Sequence, residues 1–93
     1  MGIFFSNKKP RVSKEEWNKK VRNALFGRGL KEKEIDFIEG LFSGDMHEER
    51  EEERGIQAAE IDERVKWLKA NSNLHTLTPE QISIVEQELK KRL

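Results

Sequence analysis

Two histidines, His47 and His75, stand in a sequence that has neither cysteine nor tyrosine, and this narrows the chemistry open to the chain. Without a thiol there is no disulfide, no thiolate nucleophile and no zinc–sulfur site. Asp45, His47 and Glu51 are the one grouping of ligand types that could meet a divalent cation, and nothing in their run holds three donors in register. A solvated side chain is the expectation for His47. His75, beside Thr76 in a short connection, reads as a turn residue. No Gly-rich phosphate loop, calcium-loop spacing or paired-histidine zinc motif occurs. A catalytic centre needs a nucleophile, an acid–base pair or a metal. The expectation is a non-catalytic protein with no catalytic residues, no cofactor and no metal site.

Binding is what remains, and three groups of residues could carry it. Lys14, Lys19, Lys20 and Arg22 fall away from the apolar residues of one predicted helix and continue Lys8, Lys9 and Arg11, a stripe suited to phosphates. The acidic run after residue 45 opposes DNA on that side. At the amino terminus, Met1-Gly2-Ile3-Phe4-Phe5-Ser6 fits the short N-myristoylation pattern. Ile3, Phe4 and Phe5 followed by Lys8, Lys9 and Arg11 could dip into a membrane surface or a partner's groove, or pack back on the fold. Phe37, Trp67 and Ile84 lie off the main apolar stripes of their helices; if two of them stay exposed together, they mark a binding patch.

The elements that position these residues share one frame: an apolar residue, three variable positions, Glu or Gln, then another apolar residue. It reads Val12…Glu16-Trp17, Leu30…Glu34-Ile35, Ile56…Glu60-Ile61 and Leu77…Gln81-Ile82. Each copy is a helix entrance, with the apolar pair as a staple at N′ and N4 and the acid or amide at N3 closing a capping box. The copies at Gly29 and Gly55 agree further, as Gly-Leu/Ile-x-x-x-Glu-Ile-Asp. Convergence on the same capping physics accounts for that as well as an internal duplication does.

Four entrances predict four helices. The first starts at N-cap Ser13, carries Trp17, Val21, Ala24 and Leu25 inward, and stops at Gly27 and Gly29. The second enters at Leu30, relies on Glu34 because Lys31 is a poor cap, buries Ile35, Ile38, Leu41 and Phe42, and stops at Ser43-Gly44-Asp45. The third runs from about Gln57 to Ala70 with Ala58, Ile61, Val65 and Leu68 on one face. Leu74 and Leu77 are expected to pin the connection to the core. The fourth has the clearest start, Thr78 at N-cap, Pro79 at N1 and Gln81 at N3, and is lined by Ile82, Val85, Leu89 and Leu93.

The fold expected is all-α: a compact bundle of four short helices with crossed packing, because heptads are not sustained. Residues 1–11 are expected to form a flexible apolar and basic tail, and 12–93 a single domain with a charged loop at 45–54. Like-charge pairs Glu48/Glu52 and Glu49/Glu53 argue against a fifth helix there.

Composition is consistent with such a domain. Of 93 residues, 34% are hydrophobic and 39% charged, enough for one small core under a heavily solvated surface. The net charge of zero conceals a division: residues 1–30 hold eight basic and two acidic side chains, and residues 31–70 hold seven basic and thirteen acidic ones. Such a split can steer partners or orient one part of the fold against another. No apolar run reaches the length of a membrane span. The function expected is a protein-interaction or adaptor module in the cytoplasm with another protein as partner. Nucleic-acid binding through the first helix and the tail is the alternative, and membrane-surface association through the tail is the second.

Overall fold

The computed structural model describes residues 10–50 and 54–93. The expected tail up to Lys9 and the Glu51–Glu53 part of the charged loop lie outside them. Among the described residues, four helices and a two-stranded ribbon follow in the order β1 (Arg11–Val12), α1, α2 (Glu32–Met46), β2 (Ile56–Gln57), α3 (Ala58–Ala70) and α4 (Pro79–Lys90). Helix α1 is continuous over 14–27: Lys14–Glu16 and Arg22–Gly27 are α-helical, and Trp17–Val21 between them form a π-helical turn. The wider i→i+5 turn holds residues four apart closer to one line. Trp17, Val21 and Leu25 accordingly all reach the core with no exposure. A short 3-10 turn, Ser72–Leu74, follows α3.

The four entrances behave as capping chemistry requires. The outer staple residues Val12, Leu30, Ile56 and Leu77 and the inner ones Trp17, Ile35, Ile61 and Ile82 are all buried. Ser13 Oγ accepts the Glu16 N–H at 3.1 Å, and Thr78 Oγ1 accepts that of Gln81 at 3.1 Å. Where the cap itself is poor, the N3 carboxylate holds the end. Glu34 accepts the Lys31 N–H at 2.8 Å and Glu60 that of Gln57 at 2.8 Å.

The entrances also meet in pairs, a feature absent from the sequence reading. Val12 pairs with Ile56 and Arg11 with Gln57 in an antiparallel ladder, which joins the starts of α1 and α3. Arg11, expected in the tail, is thereby part of the fold. Across the molecule the Gln81 side-chain amide donates to Glu34 at 3.3 Å, so the starts of α4 and α2 meet as well.

Two boundaries differ from expectation. Helix α2 does not stop at Ser43-Gly44-Asp45 but continues to Met46, because Met46 is only 1% exposed and its burial favours a further turn. Asp45 therefore belongs to a helix, and the charged loop begins at His47. That loop is held at its described ends: the Gly55 N–H donates to the Asp45 carbonyl at 2.8 Å, and the Arg54 guanidinium donates to the Glu48 and Glu49 carbonyls. His47–Arg50 are not helical. Ala58, expected inward, is exposed at the first position of α3, where the chain is still leaving the ribbon. Leu41 is half-buried against the core rather than within it.

Gly29 and Gly55 have φ values of +101° and +107°, a region that other L-residues rarely adopt. Gly29 ends α1, with the Leu30 N–H returning to the Leu25 carbonyl at 3.1 Å. A Cβ on Gly55 would sit 2.9 Å from Arg11 Cδ, so this glycine also makes room for the ribbon. Gly55→Ala is expected to lower the melting temperature and to perturb the Arg11 and Val12 amide resonances. Ile61→Ala, at a site with no exposure, is expected to cost about 2–5 kcal/mol in urea unfolding. A loss below about 1 kcal/mol would place Ile61 at the margin of the core.

Candidate functional site

Helix α2 points Ile35, Ile38, Phe42 and Met46 inward, and α3 does the same with Ile61, Val65 and Leu68. Phe37 and Trp67 each precede a core residue by one position, a rotation of about 100° on a helix. They consequently stay partly outside, 37% and 38% exposed. Both rings pack on the imidazole of His75, with centroid separations of 5.9 Å to Phe37 and 6.4 Å to Trp67.

His75 lies at a bend in the connection between α3 and α4, half-buried, and both its ring nitrogens are engaged. Its Nδ1 lies 3.1 Å from the Leu77 N–H, which can only donate, so Nδ1 accepts. The proton then sits on Nε2, which donates to the Leu68 carbonyl at 2.7 Å. The ring thus joins the end of α3 to the staple of α4 and presents its remaining surface to the two aromatics. Leu74, expected to pin this connection, is 61% exposed; Leu77, 6% exposed, does the pinning. Beside Phe37 a shallow groove of about 230 Å³ is lined by Lys33, Glu34, Phe37, His75, Thr76 and Leu77.

The remaining candidates separate. Ile84 packs half-buried against the core, at the edge of another groove lined by Arg28, Pro79, Glu80, Ser83 and Gln87. Phe26, near the end of α1 and one position after buried Leu25, is 67% exposed. Ile3, Phe4, Phe5, Lys8 and Lys9 lie outside the described residues. Arg11 donates to the Arg54 carbonyl at 2.7 Å.

The basic stripe on α1 is divided by two acids of α2. Glu39 accepts from Trp17 Nε1 at 2.7 Å, from Arg22 and from Lys14 at 3.2 Å, and Asp36 accepts from Arg22 at 2.8 Å. Lys19 lies 3.8 Å from Glu15, and Lys20 is exposed. A third acid, Glu88, lies on α4 and is buried. It takes Arg28 at 3.0 Å, Arg92 at 2.8 Å and Lys91 at 3.7 Å. Glu39 carries no signal in the sequence, and Glu88 only its place beside Leu89, one step off the α4 stripe.

These contacts set the ionisation of the carboxylates. The Trp17 N–H is the largest cause holding the Glu39 carboxyl below its usual range, aided by Lys14 and Arg22 against the cost of burial. Burial works against ionised Glu88, but the hydrogen bonds from Arg92 and Arg28 outweigh it and its carboxyl is also held low. Burial pushes Asp45 up in spite of Arg64 at 3.4 Å, and pushes Glu60 up in spite of the Gln57 N–H.

No group of three or more His, Asp or Glu side chains converges on a metal-sized site among the described residues. His47 is exposed, and Glu51 lies outside the described part. Among the described residues no helix is long and apolar enough to cross a membrane. Comparison of the chain with protein-family models, curated proteins and solved structures gave no match.

Stability should follow pH in the sense these shifts dictate. Glu39 and Glu88 are held low in the folded state, so their contribution is complete above the ordinary value of about 4.5 and is lost as the pH falls below it. Asp45 is raised, so its contribution becomes more favourable as the pH falls towards its ordinary value. Glu88→Gln is expected to lower the melting temperature at neutral pH and to flatten its fall on acidification below about pH 4.5. Asp45→Asn should steepen that fall. Thermal melts followed by circular dichroism across the acid range check both signs.

Proposed function

We propose that the chain is a small protein-interaction module whose contact surface is the aromatic patch formed by Phe37, His75 and Trp67. One observation carries this reading: two aromatic rings from different helices remain more than a third exposed while both rest on one immobilised imidazole. Rings held in place lose little conformational freedom when covered, and aromatic side chains dominate the energetics of protein interfaces. A conformationally ready apolar surface beside a shallow groove suits a peptide or helix of a partner better than a small molecule, which wants a deeper enclosure.

The nucleic-acid reading is weaker. A phosphate-binding stripe needs its cations available, and Lys14 and Arg22 direct theirs to Glu39 and Asp36. Membrane association through Ile3, Phe4 and Phe5 rests on residues outside the described part.

The two tryptophans make the test internal. Trp17 is fully buried and bonded to Glu39, whereas Trp67 lies in the patch. Peptides selected from a random library on the folded protein should move the indole N–H resonance of Trp67 and leave that of Trp17 in place. Trp67→Ala and Phe37→Ala should each weaken that binding by at least about tenfold with little change in melting temperature. Peptides that bind without disturbing Trp67, or that tolerate both variants, would refute the patch as the contact surface.

A further inference from the structure

The described lysines fall into two groups. Lys14, Lys19, Lys90 and Lys91 each pair with a carboxylate. Lys20, Lys31, Lys33, Lys66 and Lys69 make no ion pair among the described residues. Of these five, Lys33 lines the groove beside Phe37, together with His75 and Thr76. It stands between two glutamates in sequence and pairs with neither. Glu32 lines a different groove, with Arg22 and Asn23. Glu34 remains at its capping position, where it accepts the Lys31 N–H at 2.8 Å and the Gln81 amide at 3.3 Å. Asp36, three residues on, accepts from Arg22 at 2.8 Å. Phe37 follows Lys33 by four positions, the separation at which side chains on a helix are neighbours. The Lys33 ammonium therefore stands beside an exposed ring with no counter-charge of its own. Thr76, exposed on the same groove, makes no hydrogen bond among the described residues. A groove that offers an ammonium and a hydroxyl next to two rings is complementary to a carboxylate carried beside an apolar side chain.

We propose that this groove receives an acidic side chain from a peptide segment of another protein. Lys33 and Thr76 hold the carboxylate, and Phe37 and Trp67 take the apolar residues beside it. The proposal rests on the aromatic patch as the contact surface and names the chemistry of its partner. A basic residue at the same place would set two cations together. A wholly apolar segment would cover the Lys33 ammonium without supplying a counter-charge. An anionic lipid surface supplies the charge but favours side chains that project into it. Phe37 and Trp67 instead lie against His75 and are more than half covered.

Peptides selected from a random library on the folded protein provide the test. The bound sequences should be enriched in Asp and Glu next to Leu, Phe or Trp, and depleted in Lys and Arg. Replacing Glu by Gln and Asp by Asn in one selected peptide should weaken its binding at least about tenfold, and so should Lys33→Glu. Lys33 is exposed and unpaired, so the melting temperature of that variant should hold. Lys69→Glu makes the same change in net charge two positions past Trp67, about 200° round α3, and should leave the affinity within about twofold. Selected peptides that move the Trp67 indole resonance but carry no acid overturn the acidic partner and leave the patch standing, as do peptides that bind Lys33→Glu as tightly as the wild type. If no peptide moves the Trp67 indole, the patch itself falls and the acidic partner with it. Sedimentation of the chain with phosphatidylcholine–phosphatidylserine vesicles, abolished by Lys33→Glu, overturns the peptide in favour of a lipid surface.

Discussion

Val12 and Ile56 meet across the two-residue ladder, and the departure directions of α1 and α3 are set at that contact. Both residues are fully buried, and each is followed by a capped helix start, so one small ribbon positions two helices together. The bond from Gln81 to Glu34 does the same for α4 and α2, at the capping boxes themselves. A helix start carries orphan N–H groups and an apolar staple, both of which must find partners. Joining the starts in pairs answers the two needs with the same residues. It also accounts for a core spread evenly over all four helices, since each begins with two buried apolar anchors.

Charge follows the same economy. The basic first third and the more acidic centre of the chain meet across α1 and α2, where Arg22 and Lys14 reach Asp36 and Glu39. Arg28 carries the pattern to α4 by reaching buried Glu88. A carboxylate taken out of water requires several donors to remain ionised, and Glu39 and Glu88 each have them. The charge division is thus partly consumed in orienting the helices. Among the described residues, Phe37, Trp67 and Leu74 stay exposed as large apolar side chains, and His75 supports the first two rings while held by two backbone bonds.

Helix α2 contributes to all of these features. One side carries the acids that bind α1, another the core, and the outermost side Phe37, Gly40 and Gly44. Among the described residues nothing covers that outermost side, and through Phe37 it continues into the aromatic patch.

Much of the architecture follows from local physics and is legible along the chain. The four staple frames determine the number of helices, their starts and their buried faces, because capping and helical periodicity act within a few residues. Ser13, Thr78 and Gln81 behave as their residue types require. What depends on distant residues could not be read in this way. The ladder between Val12 and Ile56 needs two segments far apart in sequence to arrive together, and α2 reaches Met46 only because the core accepts that side chain. His75 acquires its role from the carbonyl of Leu68 and the N–H of Leu77, groups that every residue possesses and no sequence pattern displays. Phe37, Trp67 and Ile84 are alike as sequence, each one step off an apolar stripe. Exposure separates them only because neighbouring elements cover Ile84 and leave the other two in solvent, and coverage is a property of the assembled helices rather than of any one of them.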